Sequence, residues 1–289
     1  MKNNKPVFLF VHGAWHNSSS FQPVIDILAA RGHDGFAIDL PGAGVNSTNP
    51  RCYVLPSSAA AFAAELSPSR TIEQSQRTIA VIDRVRQIKD LSQSPIILVG
   101  HSLGGVTATT VAESVPDEIH AVVYLAAFMV PPGLAVGWVH QHPAASSSLV
   151  RSLIVADPKS IGAQRINFRS ADPDYRRRLK LAFLEDASEA TFASHISDLH
   201  CDEPNSTILV PSPMTAARFG KVPRYYIRCL QDRALPIEAQ SVMISEVDSA
   251  LGSTTHVHDL QSGHLSFVSC PGALSDVLME IARSEFRQQ

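Results

Sequence analysis

Short apolar runs alternate with longer stretches in which apolar residues recur every three or four positions along most of this 289-residue chain. That rhythm predicts an α/β architecture, a mostly parallel sheet with helices on both faces. Val7–Val11 predicts the first strand, ending at His12-Gly13, and Phe21–Arg31 predicts a helix stopped by Gly32. Gly35–Asp39 predicts a second strand, closed by Leu40-Pro41-Gly42-Ala43-Gly44. A loop containing Pro and Ser runs to about Arg70. From there Thr71–Lys89 predicts a helix, with Ile72, Ile79, Ile82, Val85 and Ile88 at helical spacing behind a Thr71 N-cap. Ile96–Val99 predicts a third strand leading into a helix from Leu103 to Val115, and Ala121–Ala126 a fourth buried strand.

The alternation then breaks. From Pro131 to about Gly220 no strong strand separates the helical patterns, and charge rises at Arg176-Arg177-Arg178, Lys180 and Glu185-Asp186. Residues 131–220 therefore predict a helical cap inserted into a core formed by 1–130 and 221–289. Alternation resumes with a strand at Arg224–Leu230, a helix at Glu238–Ala250, a strand at Thr255–Leu260 and a closing helix at Gly272–Phe286.

Composition adds limits. Hydrophobic residues make up 45% and charged residues 18%, an ordinary balance for a soluble enzyme with a sizeable core. The formal net charge of −3 offers no broad attraction to nucleic acid or to an acidic membrane. No apolar run is long enough to span a bilayer. The basic start Met-Lys-Asn-Asn-Lys-Pro precedes an apolar stretch too short for a signal peptide. Cys52, Cys201, Cys229 and Cys270 are scattered without a CxxC pair. Reduced thiols and a cytoplasmic location are the expectation, and the Asn-x-Ser/Thr matches at Asn17, Asn46 and Asn205 would matter only in an exported chain.

The candidate chemistry centres on Gly100-His101-Ser102-Leu103-Gly104, a Gly-x-Ser-x-Gly motif between a strand and a helix. The turn is tight enough that side chains at either glycine would strike neighbouring backbone. It lifts Ser102 Oγ off the sheet at the positive end of the next helix, where developing negative charge is stabilised. A serine hydroxyl needs a base to become a nucleophile, and the base needs an acid to hold its tautomer. In the order Ser, acid, His, two late strands lead into Gln231-Asp232 and into Gln261-Ser262-Gly263-His264. Asp232 and His264 are the candidates, with Asp259 and Glu238 as weaker competitors for the acid. An oxyanion hole needs two backbone donors. Leu103, after the serine, supplies one, and Ala14, in the loop after the first strand, the other. Gly13 lets that loop approach, since a side chain there would crowd the substrate carbonyl. His12 orders the loop by hydrogen bonding, and Trp15 either packs or walls the pocket.

Other clusters carry blander readings. His256 and His258 alternate along one strand, and His200-Cys201-Asp202-Glu203 groups ligand-type residues, but neither has a second cluster at metal-ligand spacing. The Arg176–Lys180 run reads as a solvated helix face.

With these residues assembled, the chain resembles the α/β-hydrolase superfamily from end to end. It looks most like the branch of plant methylesterases, polyneuridine aldehyde esterase and hydroxynitrile lyases, with their microbial relatives. Phe8-Leu9-Phe10-Val11-His12-Gly13-Ala14-Trp15 resembles that branch's opening strand and oxyanion loop. Ala37 to Gly44 resembles its second strand and turn, and Tyr225 to Asp232 its acid-bearing strand. The resemblance implies Ser102, Asp232 and His264 as the triad, and Ala14 and Leu103 as the oxyanion hole. The lyases of the branch carry a threonine where Gly13 stands, a lysine after the catalytic histidine where this chain has Leu265, and Gly-Glu-Ser where it has Gly100-His101-Ser102. Those departures favour hydrolysis.

The reading is thus a serine esterase acting on a small to medium, largely apolar carboxylic ester or lactone, with no metal and no organic cofactor. Phe128, Met129, Trp138, Phe183, Leu184 and Phe192 are the expected pocket residues, together with Gly13 and Trp15. The partner is a small molecule, not nucleic acid or membrane, and a homodimer is left open. The alternatives are a cofactor-free lyase or oxygenase on the same scaffold, and a small-molecule receptor that retains the triad.

Overall fold

The computed structural model describes residues 5–287. Six strands form one wholly parallel sheet: β1 (Val7–Val11), β2 (Gly35–Ile38), β3 (Ile96–His101), β4 (Ala121–Leu125), and, after a long insertion, β7 (Arg224–Cys229) and β8 (His256–Leu260). The insertion contributes β5 (Ala163–Arg165) and β6 (Asp202–Pro204), which pair antiparallel as a separate two-stranded ribbon. The sheet order is β2-β1-β3-β4-β7-β8. The chain leaves β1 in one direction to make β2, then returns to make β3 on β1's other side. Loops at the carboxyl ends of β1 and β3 therefore diverge around a crevice, the usual ligand position in open parallel sheets.

The apolar runs form strands because both sheet faces are covered and successive residues serve opposite cores. Phe8, Phe10, Ile97, Val99, Val123 and Leu125 are buried in the core on one face. Their neighbours Val7, Leu9, Val11, Ile96, Leu98 and Val122 are buried in the core on the other. Helices Gln22–Ala30 and Pro271–Arg287 pack together on the first face, and Gln74–Ser92 and Gly104–Ser114 on the second. Among the described residues no helix is long and apolar enough to cross a membrane.

Three local expectations are corrected. The long helix begins at Gln74, and Glu73 rather than Thr71 takes the N-cap position, its N–H held by Gln76 Oε1 at 2.7 Å. Its buried face is Gln74, Arg77, Thr78, Val81, Val85 and Ile88, while Ile79 is 58% exposed. The first turns bury polar groups because partners await them: Gln74 donates to Thr107 Oγ1 at 3.0 Å, and Thr78 meets Thr110 at 2.7 Å. The loop before this helix also contains two short helices, Arg51–Val54 and Ala59–Ala64. Finally, the region expected to be a helical cap also contains the β5–β6 ribbon, beside helices such as Pro173–Phe183 and Glu189–Ser197.

Candidate active site

β3 continues two residues beyond its apolar run to His101, and Ser102 follows with φ of 50°. A non-glycine residue rarely adopts this left-handed conformation, and here the surroundings impose it. Ser102 N–H donates to Leu125 O at 3.2 Å, and Ser102 O accepts from Phe128 N at 2.9 Å and Gly105 N at 3.1 Å. A Cβ on Gly104 would lie 2.4 Å from Val11 O and 2.5 Å from His12 O, so the helix starting there rests directly on the end of β1. Gly13 comes equally close from the other side. A Cβ there would sit 2.6 Å from Ser102 Cβ, so the conflict is with the serine itself rather than with a substrate carbonyl.

His264 joins the two remaining groups. Its Nε2 lies 3.0 Å from Ser102 Oγ, and its Nδ1 lies 2.7 Å from Asp232 Oδ2. A carboxylate accepts, so Nδ1 carries the proton of the neutral ring and Nε2 presents its lone pair to the serine hydroxyl. Asp232 is fixed by two backbone donors, Ala234 N and Leu235 N, both 2.8 Å from Oδ1, and by Gln240 Nε2 at 3.4 Å from Oδ2. All three side chains are almost fully buried. The competing acids lie elsewhere. Asp259 makes a two-bond pair with Arg228 on the neighbouring strand, and Glu238 is exposed at the start of a helix.

The loop after β1 faces this relay. The backbone N–H groups of Ala14 and Leu103 donate to no group within the described residues, and both residues border the same cavity as Ser102 and His264. His12 spends both ring nitrogens on the backbone: Nδ1–H donates to Gly13 O at 2.8 Å, and Nε2 accepts from Leu40 N at 3.1 Å. Burial lowers its pKa to about 4, in keeping with a neutral ring that orders the loop. His16 Nδ1–H likewise donates to Ala14 O at 2.7 Å. His101 Nε2–H donates to His264 O at 3.1 Å, and burial holds both His16 and His101 well below the ordinary histidine pKa.

The cavity has a volume of about 560 Å³. Of the residues expected to line it, Trp15, Phe128 and Phe183 do so. Met129, Trp138, Leu184, Phe192 and Gly13 do not border it. Phe128 and Met129 are adjacent in the chain and so face opposite cores. Leu184 and Phe192 are buried in the core beneath, Phe192 with Arg176 over its ring, and Trp138 packs against His142. Gly13 lies behind Ser102. The cavity instead recruits Val136, His140, Arg151, Ile154, Gln164 and Glu203, none of which carries a sequence signal for a pocket. Burial, with the charge of Arg151 adding to it, lowers the pKa of His140.

The other ligand-type clusters are spent on internal contacts. Asp202 makes a two-bond pair with buried Arg165, at 2.6 Å for each bond, and Glu203 pairs with buried Arg77. His256 and His258 stack on Tyr225. Arg176 and Arg178 lie over the rings of Phe192 and Tyr175, so this run covers apolar surface as well as facing water.

Residues 8–277 match the model of the Alpha/beta hydrolase family, and the chain belongs to that family. It is 26% identical to Methylesterase 7 of Arabidopsis thaliana, over 97% of this chain and 98% of that protein. It is 25% identical to Pyrethroid hydrolase of Sphingobium wenxiniae, over 97% and 89%. The crystal structure of a pyrethroid hydrolase from Sphingobium faniae JZ-2 superposes with a TM-score of 0.75 at 23% identity, covering 96% of this chain and 97% of that one, which establishes a shared fold.

Proposed function

We propose that this chain is a carboxylic ester hydrolase that cleaves a small to medium, largely apolar ester or lactone through an acyl-enzyme on Ser102. The observation that carries the reading is the relay Asp232–His264–Ser102, at 2.7 and 3.0 Å, opening onto a cavity beside two backbone donors that are unspent among the described residues. The names of the aligned relatives, a methylesterase and a pyrethroid hydrolase, support an ester as substrate.

In this scheme Ser102 Oγ attacks the ester carbonyl while His264 Nε2 takes its proton. Charge grows on the carbonyl oxygen, where the N–H groups of Ala14 and Leu103 receive it. Such a donor is typically worth about 3–4 kcal/mol in the transition state. Asp232 stabilises the imidazolium, which then protonates the departing alkoxide. Water enters, gives a proton to the same nitrogen, and the second tetrahedral intermediate releases the acid and restores Ser102. The cycle uses only side chains, backbone and water.

We read residues 131–220 as the cap that shapes the acyl and alcohol subsites, since Val136, His140, Ile154 and Phe183 of that stretch border the cavity. The walls are mostly apolar, which favours a substrate of the same character. The experiment is turnover of p-nitrophenyl acetate by purified Ser102→Ala. The reading requires its loss, and an unchanged rate in folded protein would refute the mechanism.

A further inference from the structure

Trp15 is a bulky residue held at φ of 63°, a conformation that persists only where neighbours enforce it. Its restraints come from the β5–β6 ribbon. The register of that ribbon places Gln164 opposite Glu203, and each holds one of the two N–H groups of Trp15. Gln164 O accepts from the indole Nε1 at 2.9 Å, and Glu203 Oε2 accepts from the backbone N at 3.4 Å. His200 N, two residues before β6, donates to Trp15 O at 3.3 Å. Glu203 is itself fixed on its other oxygen by Arg77 from the long helix and by Thr207 Oγ1 at 3.1 Å. Both members of the Arg77–Glu203 pair are buried, at 3% and 1% exposure. The ribbon is pinned a second time by Arg165–Asp202, the next cross-strand pair.

We infer that the ribbon is a clamp on the oxyanion loop, with Glu203 as a positioning residue whose hold on Trp15 N–H sets the direction of the preceding Ala14 N–H toward the reaction centre. The inference rests on the acyl-transfer reading for its catalytic consequence. Its geometry follows from peptide connectivity. Ala14 N–H belongs to the Gly13–Ala14 peptide, whose Gly13 O accepts from His12 Nδ1 at 2.8 Å. The next peptide is held through Ala14 O by His16 Nδ1 and through Trp15 N–H by Glu203, so both peptide planes flanking the Ala14 Cα are restrained. Removing the clamp releases a strained residue and lets the donor swing away.

A single change at either member of the ion pair would strand a buried charge and cost stability for that reason alone. Two doubly substituted proteins avoid this. In Arg77→Met with Glu203→Gln the pair is neutral and the amide oxygen still accepts from Trp15 N–H. In Arg77→Met with Glu203→Leu the pair is neutral and no acceptor remains. The Leu form is expected to show a kcat about 10- to 100-fold below that of the Gln form. Inhibition by a trifluoromethyl ketone, whose adduct needs the hole, weakens by the same factor in the Leu form. In a Trp138→Phe background Trp15 is the sole tryptophan, and acrylamide quenching rises in the Leu form alone. Equal kcat and equal quenching in the two folded proteins would overturn the clamp. If instead the parent resists a fluorophosphonate, the acyl-transfer reading fails, while quenching still decides whether Glu203 holds the loop.

Discussion

His101 Nε2 donates to the backbone carbonyl of His264 at 3.1 Å, so the residue just before the serine anchors the loop that carries the base. The bond fixes the tautomer of His101, since a carbonyl only accepts. It leaves Nδ1 as a buried lone pair without a partner among the described residues. A glutamine amide places a donor near the position of Nε2, whereas leucine fills the volume without one. His101→Gln should retain kcat within about threefold, and His101→Leu should lose about tenfold through misplacement of His264. Steady-state kinetics of the two variants checks this, and equal rates would show that the bond does not position the base.

Gly13→Ala tests the close approach of the oxyanion loop. The added methyl would fall 2.6 Å from Ser102 Cβ, so either the loop or the elbow must move. A fall in kcat of about 100-fold or more is expected, with the protein still folded. Circular dichroism and turnover on the same sample separate the two effects.

Asp232→Asn keeps the shape of the acid but can present an N–H to His264 Nδ1. Its remaining oxygen is claimed by Ala234 N and Leu235 N, both at 2.8 Å, so the amide nitrogen faces the imidazole. The ring is then forced to carry its proton on Nε2, toward the serine, and kcat should fall by about 10⁴-fold. A loss below about tenfold would point to another acid.

Acid stability follows from the buried histidines. Burial lowers His12 and His195 to about 4 and His200 to about 3, with His16 and His101 also well below the ordinary 6.5. These groups have folded-state pKa values below their unfolded values. As pH falls beneath 6.5 the unfolded chain takes up protons that the folded chain refuses, so stability drops toward the folded values. Each proton taken up on unfolding steepens the loss by about 1.4 kcal/mol per pH unit. Denaturant titrations between about pH 7 and pH 5 should show a steep decline, above the range where carboxylates titrate. A flat stability over that interval would contradict the neutral, buried assignment.

The sheet was readable because its four inner strands are covered on both faces, which leaves uninterrupted apolar runs such as Phe8–Val11 and Ile96–Val99. The candidate triad was readable because chemistry demands its residue types and the fold demands their order along the chain. The ribbon was not, because Ala163-Gln164-Arg165 and Asp202-Glu203-Pro204 lack β-branched or aromatic residues, and the two strands are joined by the Arg165–Asp202 ion pair instead. Arg77 and Glu203 are 126 positions apart and meet only in three dimensions. The pocket was half readable: aromatic residues such as Phe128 and Phe183 were visible, but periodicity alone does not say which of Phe128 and Met129 faces the cavity.

The central claim is that ester turnover passes through Ser102, and covalent labelling tests it most directly. Purified protein treated with a fluorophosphonate, digested and mapped by mass spectrometry, is predicted to carry the label on Ser102, with p-nitrophenyl acetate turnover falling in proportion to the labelled fraction. Full turnover in protein labelled at Ser102, or inactivation with Ser102 unmodified, would contradict the account.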